Sequence, residues 1–149
     1  MHPWICCKRT YEGEPAIKLE RWLEAGKPTF EFEVEFGRKG ETEYAKTVPM
    51  FDQLLDLRID TDSQRADAAA SFVRALVRAV TEHACASASQ QGLRQVGLTG
   101  GVSYSGPITA WVKETVESEG LEFIGHERIS NGDGGISTGQ NAIVGAKVG

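Results

Sequence analysis

The ten residues from Asn131 to Gln140, NGDGGISTGQ, combine a glycine-rich backbone with a single acidic side chain, that of Asp133. A carboxylate held among glycines beside a phosphate site could bind a divalent cation, since such ions prefer oxygen ligands. Asp133 could equally cap the helix that follows by accepting bonds from N–H groups of its first turn. The pattern by itself favours the cap and does not exclude the metal.

A second glycine loop, LTGGVSYSGP, comes earlier in the chain and precedes another helical pattern. Gly100 and Gly101 allow close approach of the backbone and positive φ angles. The helix after them would offer unpaired N–H groups and the positive end of its dipole, which suit a phosphate. The same letters also fit a tight turn without a ligand. The loop is not a Walker loop, because no Gly-Lys-Ser or Gly-Lys-Thr follows.

The cysteines and histidines lack the spacing of a metal site. No Cys-x-x-C pair occurs, so the three cysteines are predicted to be reduced thiols without zinc or redox chemistry. They are Cys6, Cys7 and Cys85. The histidines are far apart in sequence and are predicted to be ordinary surface or hydrogen-bonded residues. They are His2, His83 and His126.

The first half of the chain predicts a helix, a hairpin and a long helix. The helix covers residues 11–26, with Pro15 in its first turn and Gly26 at its end. FEFEVEF, Phe30–Phe36, alternates apolar and acidic residues and predicts a half-buried strand. GRKGE supplies a turn and EYAKTVPM a returning strand, which makes residues 30–50 a hairpin. The long helix runs from Ser63 to about Ser87, and SASQQG is a loop after it.

The second half predicts two consecutive units of strand, glycine loop and helix. Val96–Leu98 and Leu121–Gly125 are predicted to be adjacent parallel strands, because each one leads into a glycine loop and a helix. Both loops then lie at the carboxyl ends of their strands, where open α/β sheets bind ligands. Residues 1–149 are accordingly predicted to be one α/β domain.

Composition narrows the classes of partner. The chain has 149 residues and a net charge of −5, and its basic residues form no stripe, which argues against nucleic acid or an anionic membrane as a partner. A small molecule or a protein is expected instead. Neither a spanning helix nor a signal peptide is recognisable, so a cytoplasmic location is predicted.

Three blocks together resemble the C-terminal end of the HypF family, the carbamoyltransferases of [NiFe]-hydrogenase maturation. The blocks are TYEGEPAIKLE, VGLTGGVSYSG and ISNGDGGISTGQNAIVGA, in this order. The resemblance implies an α/β fold: one ribonuclease-H-like lobe of the actin-like superfamily, a mixed sheet with helices on both faces. The chain would be the C-terminal lobe of a carbamoyl-transfer domain.

The resemblance also implies a reaction. Such a site makes carbamoyl adenylate with ATP and transfers the carbamoyl group to the C-terminal cysteine of a HypE-like acceptor protein. Nucleotide would be bound by a set of loop residues, and Asp133 would be a ligand to a divalent metal. The nucleotide-binding set is Gly100, Gly101, Val102, Ser105 and Gly134. A third group, Tyr11, Glu12 and Gly13, matches a family block near the same cleft.

The sequence departs from the family pattern in its metal ligands and at one residue of the first glycine loop. The family's H-x-x-x-H metal ligands do not occur in these residues, and Ser105 stands where relatives carry Asn. The chain is therefore predicted to be inactive alone and to need the missing N-terminal lobe, with a homodimer as a further hypothesis. The alternative is a non-catalytic actin-like module that binds a nucleotide or a protein. A sugar or acetate kinase fragment shares the fold, but GDGGISTGQ argues against it.

Overall fold

The structure is a computed structural model and describes residues 10–148. Within this range the elements follow in the order α1 (Glu14–Ala25), β1 (Glu35–Lys39), β2 (Thr42–Lys46), α2 (Thr47–Asp56), α3 (Asp62–Gln90), β3 (Gln95–Gly97), α4 (Gly106–Ser118), β4 (Glu122–Ile124) and α5 (Ile136–Val148). The chain divides into two compact units, the first up to Val80 and the second from Thr81. The predicted single domain of residues 1–149 stays a prediction.

Helix α1 confirms the first predicted helix. Gly13 has a φ of +82°, a conformation that glycine adopts without strain, and Pro15 lies in the first turn, where its missing N–H costs nothing. Glu14 is 8% exposed as a residue, and its carboxylate accepts bonds from the N–H and hydroxyl of Thr10. Lys18, one turn later, pairs with the same carboxylate at 2.6 Å. Gly26 ends the helix.

The predicted strand Phe30–Phe36 is wrong for most of its length, although its alternation of burial is right. Regular pairing begins only at Glu35, and the register runs from Glu35 opposite Lys46 to Lys39 opposite Thr42. Upstream, the phenylalanines and valine are half-buried while the acids between them are exposed. The turn is two residues long, with Gly40 at a φ of +64°.

The backbone N–H and carbonyl groups of the extended segment before β1 form hydrogen bonds with side chains of helices, and not with a neighbouring strand. The Phe30 N–H donates to Ser71 Oγ at 3.0 Å. The Glu33 N–H donates to Gln53 Oε1 at 2.8 Å, and Gln53 Nε2 donates back to the Glu33 carbonyl at 3.0 Å. The ring of Phe32 meets that of Phe72 edge-on. The segment is therefore extended and half-buried without being part of a sheet.

The predicted returning strand EYAKTVPM is only half correct. Strand β2 ends at Lys46, and the next four residues already belong to α2. Pro49 is tolerated because it lies in the first turn of this helix, where its N–H would have no intrahelical partner. Met50 beside it is fully buried, so α2 is held by core packing that a strand pattern does not reveal.

The long helix is longer than predicted. α3 begins at Asp62 and continues to Gln90, so most of the predicted SASQQG loop is helical. Ala88 in this stretch is buried, which explains why the helix persists through its serines. Gly92, at a φ of +71°, follows its end. The Leu93 N–H then donates to the Ala88 carbonyl at 2.9 Å, a bond that closes the helix.

The two predicted parallel strands are confirmed. β3 and β4 pair in parallel, with Val96 opposite Phe123, and α4 connects them. The α/β class is confirmed, and the described strands form two small sheets, the antiparallel pair β1–β2 and the parallel pair β3–β4. Among the described residues, no helix is long and apolar enough to cross a membrane.

The buried residues divide between the two units. In the first unit, Leu23 and Met50 are buried together with small residues of α3. Those small residues are Ala66, Ala68, Ala69, Ala70 and Ser71. In the second unit, Cys85 and Ala88 of α3 are buried, as are Val112 and Val116 of α4. α5 differs from both, because every one of its residues is exposed.

Candidate functional site

The two glycine loops meet in the second unit. The Gly100 N–H donates to the Asn131 carbonyl at 2.7 Å, which joins the loop after β3 to the loop after β4. This contact follows from the parallel pairing, because the carboxyl ends of neighbouring parallel strands lie at the same edge. The structure thus brings Gly100 and the loop that carries Asp133 together, as the sequence predicts.

A tyrosine makes a second connection between the same loops. The Tyr104 hydroxyl lies 2.6 Å from Ser130 Oγ and accepts a bond from the Gly132 N–H at 3.1 Å. A Cβ added at Gly132 would lie 2.7 Å from Tyr104 Cε2, so the ring occupies the space that any other residue would need. Sequence reasoning missed Tyr104, and only the contrast of an aromatic residue within a small-residue loop could have indicated it.

A third contact lies closer to the strands. His126 Nε2 is 2.8 Å from the Thr99 hydroxyl, and that hydroxyl lies 3.5 Å from the Asn131 carbonyl. Thr99 follows β3 and His126 follows β4. His126 is therefore hydrogen-bonded, as predicted, and its partner Thr99 belongs to the first glycine loop.

The glycines of the first loop leave open backbone. Gly100 has a φ of +85°, which side-chain-bearing residues rarely adopt. A Cβ at Gly101 would meet no atom within 4 Å, so open space lies beside its backbone. Gly101 and Val102 begin a short 3₁₀ helix, Gly101–Tyr104, and their N–H groups have no partner within it. Val102 is also exposed.

Asp133 begins another short 3₁₀ helix, Asp133–Gly135, directly before α5. Its side chain is exposed, and within residues 10–148 its carboxylate makes no hydrogen bond or ion pair. The capping bond that the sequence pattern favours is thus not formed. Among these same residues, no group of three or more His, Cys, Asp or Glu side chains could hold a metal ion.

Ser105 serves as the N-cap of α4. Its hydroxyl accepts a bond from the Ile108 N–H at 3.4 Å. Neighbouring side chains brace the same turn: Ser103 Oγ donates to the Gly100 carbonyl at 2.6 Å, and Thr109 Oγ1 donates to the Ser103 carbonyl at 3.1 Å. A role of Ser105 in nucleotide binding stays a prediction.

The third group of predicted site residues lies in the segment before α1. Tyr11, Glu12 and Gly13 belong to the first unit, where Tyr11 and Glu12 are exposed before α1. Their membership of the site stays a prediction. Cys85 is a free, buried thiol whose pKa is raised by burial and then by the charges of Glu119 and Glu82, which makes it a poor nucleophile. Cys6, Cys7 and His2 lie outside the described residues.

The sequence matches one family model over nearly its whole length. Residues 3–140 match the family described as "Carbamoyltransferase, Kae1-like Domain, second subdomain", of the HypF type. The matched range includes both glycine loops.

Two curated proteins are similar in sequence. The probable carbamoyltransferase HypF of Methanocaldococcus jannaschii is 30% identical over 136 residues, which cover 91% of this chain and 17% of that protein. The tRNA N6-adenosine threonylcarbamoyltransferase of Symbiobacterium thermophilum is 40% identical over 62 residues, which cover 42% of this chain and 18% of that protein. The chain thus spans under a fifth of the length of either relative.

Two solved structures have the same fold. The crystal structure of HypF from T. kodakarensis matches 97% of this chain with a TM-score of 0.79 and 32% identity, and the match covers 18% of that chain. A full-length HypF in a phosphate- and nucleotide-bound form matches 94% with a TM-score of 0.76 and 19% identity, again over 18% of that chain. At 19% identity the second likeness is one of fold.

Proposed function

We propose that this chain, which belongs to the HypF carbamoyltransferase family as the second subdomain of the Kae1-like domain, is the nucleotide-binding C-terminal lobe of a carbamoyl-transfer site. The observation that carries the proposal is the junction of the two glycine loops at the carboxyl ends of β3 and β4. Such a junction can contact one ligand from two sides.

The donors for a phosphate are backbone groups of the first loop. The Gly100 N–H already donates to Asn131, so it helps to fix the loop. The N–H groups of Gly101 and Val102 come next, beside open space. We assign nucleotide phosphate to these two groups. Gly134 would let the nucleotide approach the second loop, since a Cβ there would meet only Ser130 at 3.2 Å.

Asp133 is proposed as one ligand to a divalent metal. Its exposed carboxylate has no other partner among residues 10–148, and hard cations prefer such oxygens. One carboxylate is not a complete metal site, and no further cluster of ligands exists in the described part of the chain. The other ligands would have to come from the nucleotide and from a second lobe.

The full reaction is proposed at the level of the complete two-lobed site. There, the C-terminal cysteine thiolate of a HypE-like acceptor would attack the carbamoyl carbon of ATP-derived carbamoyl adenylate, forming a thiocarbamate C–S bond while the C–O bond to the phosphate breaks and AMP leaves. The chain spans 17% of its M. jannaschii relative, so the remaining catalytic groups would lie in a partner lobe. The present chain would contribute the phosphate-binding loop and one metal ligand, Asp133.

Nucleotide binding by the chain can be tested with a matched pair of glycine variants. Gly101 and Gly139 both have open space where a Cβ would be added. Calorimetric titration with ATP and Mg²⁺ should show binding to the wild type. Gly101→Ala should weaken it on the order of tenfold, about 1.4 kcal/mol, because the methyl group intrudes on the phosphate. Gly139→Ala, within α5, should leave affinity unchanged.

The opposite result is equally clear. An absence of ATP, ADP and AMP binding to the folded wild-type chain would contradict the proposed function. Equal losses of affinity in Gly101→Ala and Gly139→Ala would place the nucleotide away from the first glycine loop.

A further inference from the structure

We infer that Tyr104 is a positioning residue that holds the two glycine loops at the spacing that the nucleotide requires, an inference that rests on the proposed function. Its hydroxyl reaches Ser130 Oγ at 2.6 Å and the Gly132 N–H at 3.1 Å, both on the opposite loop. Tyr104 itself lies two residues after Val102, on the loop assigned to phosphate.

The geometry makes this connection specific. Gly132 directly precedes Asp133, and Ser130 lies three residues before it, so the Tyr104 hydroxyl fixes the path of the chain that leads to the proposed metal ligand. The Gly100–Asn131 bond, at 2.7 Å, joins the same two loops through the backbone. Together the two connections hold both loops, one through a backbone amide and the other through a side chain.

The exposure of Tyr104 argues against a role in the core. The residue is 63% exposed, and the bonds that its hydroxyl makes are at the surface. An exposed hydroxyl contributes little to global stability, because its former partners can bond to water when it is removed. A tyrosine that only stabilised the fold would be expected to lie in the interior. The position of Tyr104 instead favours control of local loop geometry.

The distinguishing variant is Tyr104→Phe, which keeps the ring beside Gly132 and removes the hydroxyl. Amide hydrogen exchange of the free protein should speed up at Gly132 and Gly100, while the melting temperature stays near that of wild type. Affinity for ATP with Mg²⁺ should fall about 3- to 10-fold, the loss expected for one or two neutral hydrogen bonds. Tyr44→Phe, which alters an exposed tyrosine of β2, is the matched control and should change neither measurement.

A second variant reaches the same contact from the other side. Gly132 has a φ of −110°, which alanine tolerates, but the new Cβ would force the Tyr104 ring and hydroxyl away. Gly132→Ala should therefore reproduce the faster exchange of Tyr104→Phe. The double variant Tyr104→Phe with Gly132→Ala should lose no more affinity than the stronger single variant, because both substitutions remove the same connection between the loops.

The outcomes separate this inference from the proposed function. If wild type binds no nucleotide while Tyr104→Phe still speeds exchange at Gly132 and Gly100, the proposed function fails and the tyrosine connection stands. Exchange and affinity like wild type in Tyr104→Phe would overturn the inference. So would a loss of affinity matched by an equal loss of global stability, since that pattern indicates a merely structural residue.

Discussion

The sequence leaves two roles open for Asp133, a helix cap and a metal ligand. The sequence pattern favoured a helix cap, yet the carboxylate makes no hydrogen bond within the described residues. A cap contributes about 1 kcal/mol, so its absence leaves Asp133 without a local stabilising role. An exposed carboxylate without a partner among the described residues is available to a cation.

Asp133→Asn and Asp133→Ala should therefore leave the free protein as stable as wild type or more stable. Addition of ATP with Mg²⁺ or Mn²⁺ should raise the melting temperature of wild type through preferential binding to the folded state. The shift should be much smaller in both variants. Thermal melts with and without ligand measure it. Equal ligand-induced shifts in all three proteins would refute the metal role, and a loss of about 1 kcal/mol in Asp133→Ala alone would restore the cap.

Glu14 gives the first unit a pH-dependent stability. The Lys18 ammonium, and then the Thr10 N–H and hydroxyl, lower the pKa of its carboxyl from 4.5 to about 2. The unfolded chain binds the proton more readily, so the stabilisation is complete above pH 4.5 and is lost as the pH falls towards about 2.

Glu14→Gln should consequently lower the free energy of unfolding at pH 7 and flatten its decline in acid. Urea denaturation at pH 7 and at several values below pH 4.5 measures both effects. Glu24→Gln, an exposed carboxyl on the same helix, is the control and should follow wild type. Parallel acid profiles for Glu14→Gln and wild type would contradict the assignment.

At the scale of elements, the turn before α5 depends more on Gly135 than on Gly134. A Cβ at Gly135 would lie 2.2 Å from the Ser130 carbonyl oxygen, which is backbone, whereas a Cβ at Gly134 would lie 3.2 Å from the Ser130 hydroxyl, which is a side-chain atom. Gly135→Ala should thus destabilise the second unit by about 1–3 kcal/mol, as overpacking against backbone does. Gly134→Ala should cost less, and chemical denaturation can compare them. Equal losses would contradict this distinction.

Elements with one dominant local signal were predictable from the sequence. The glycine stop of α1, and the repeated strand, loop and helix order of the second half, gave correct elements. The parallel pairing of β3 with β4 followed from chain order alone. These features depend on local chemistry and on connection rules, which a single sequence contains.

The errors arose where distant side chains decide the local structure. Phe30–Val34 has the alternation of a strand, but its backbone bonds go to Ser71 and Gln53, which are distant in sequence. The TVPM segment became helical because Met50 is buried. In the site, the glycines and Asp133 were visible as patterns, whereas Tyr104 was not, because its importance comes from a contact across 26 residues.

On the scale of the whole molecule, the site is proposed to be one part of a larger one. The chain spans 17–18% of its relatives, and its described residues provide one carboxylate but no metal-binding cluster. The purified chain should therefore show no carbamoyl-phosphate-dependent ATP cleavage. Release of pyrophosphate from ATP, followed with and without carbamoyl phosphate, measures this. Turnover that disappears in Asp133→Ala would show that the site is more complete than proposed.

Helix α5 exposes apolar side chains, which a second polypeptide is proposed to cover. Ile136, Ile143, Val144 and Val148 are 57%, 60%, 58% and 83% exposed, although an apolar helix normally buries one face. Ile136 and Ile143 are two turns apart, so they share a face. In the complete site, a partner lobe is proposed to cover this face. In the isolated chain, the same face of a second copy could cover it. Such a contact is expected because monomers rarely leave large apolar patches exposed to water.

The isolated chain should consequently form a dimer through α5, with the two copies related by twofold symmetry. Light scattering at increasing concentration should show a monomer–dimer equilibrium. Ile143→Glu should shift it strongly towards monomer, because a charge on the shared face must be desolvated in the dimer. Leu93→Glu places the same charge at an exposed leucine outside α5 and should leave the equilibrium unchanged. A wild-type chain that remains monomeric at high concentration would contradict the dimer, as would equal effects of the two substitutions.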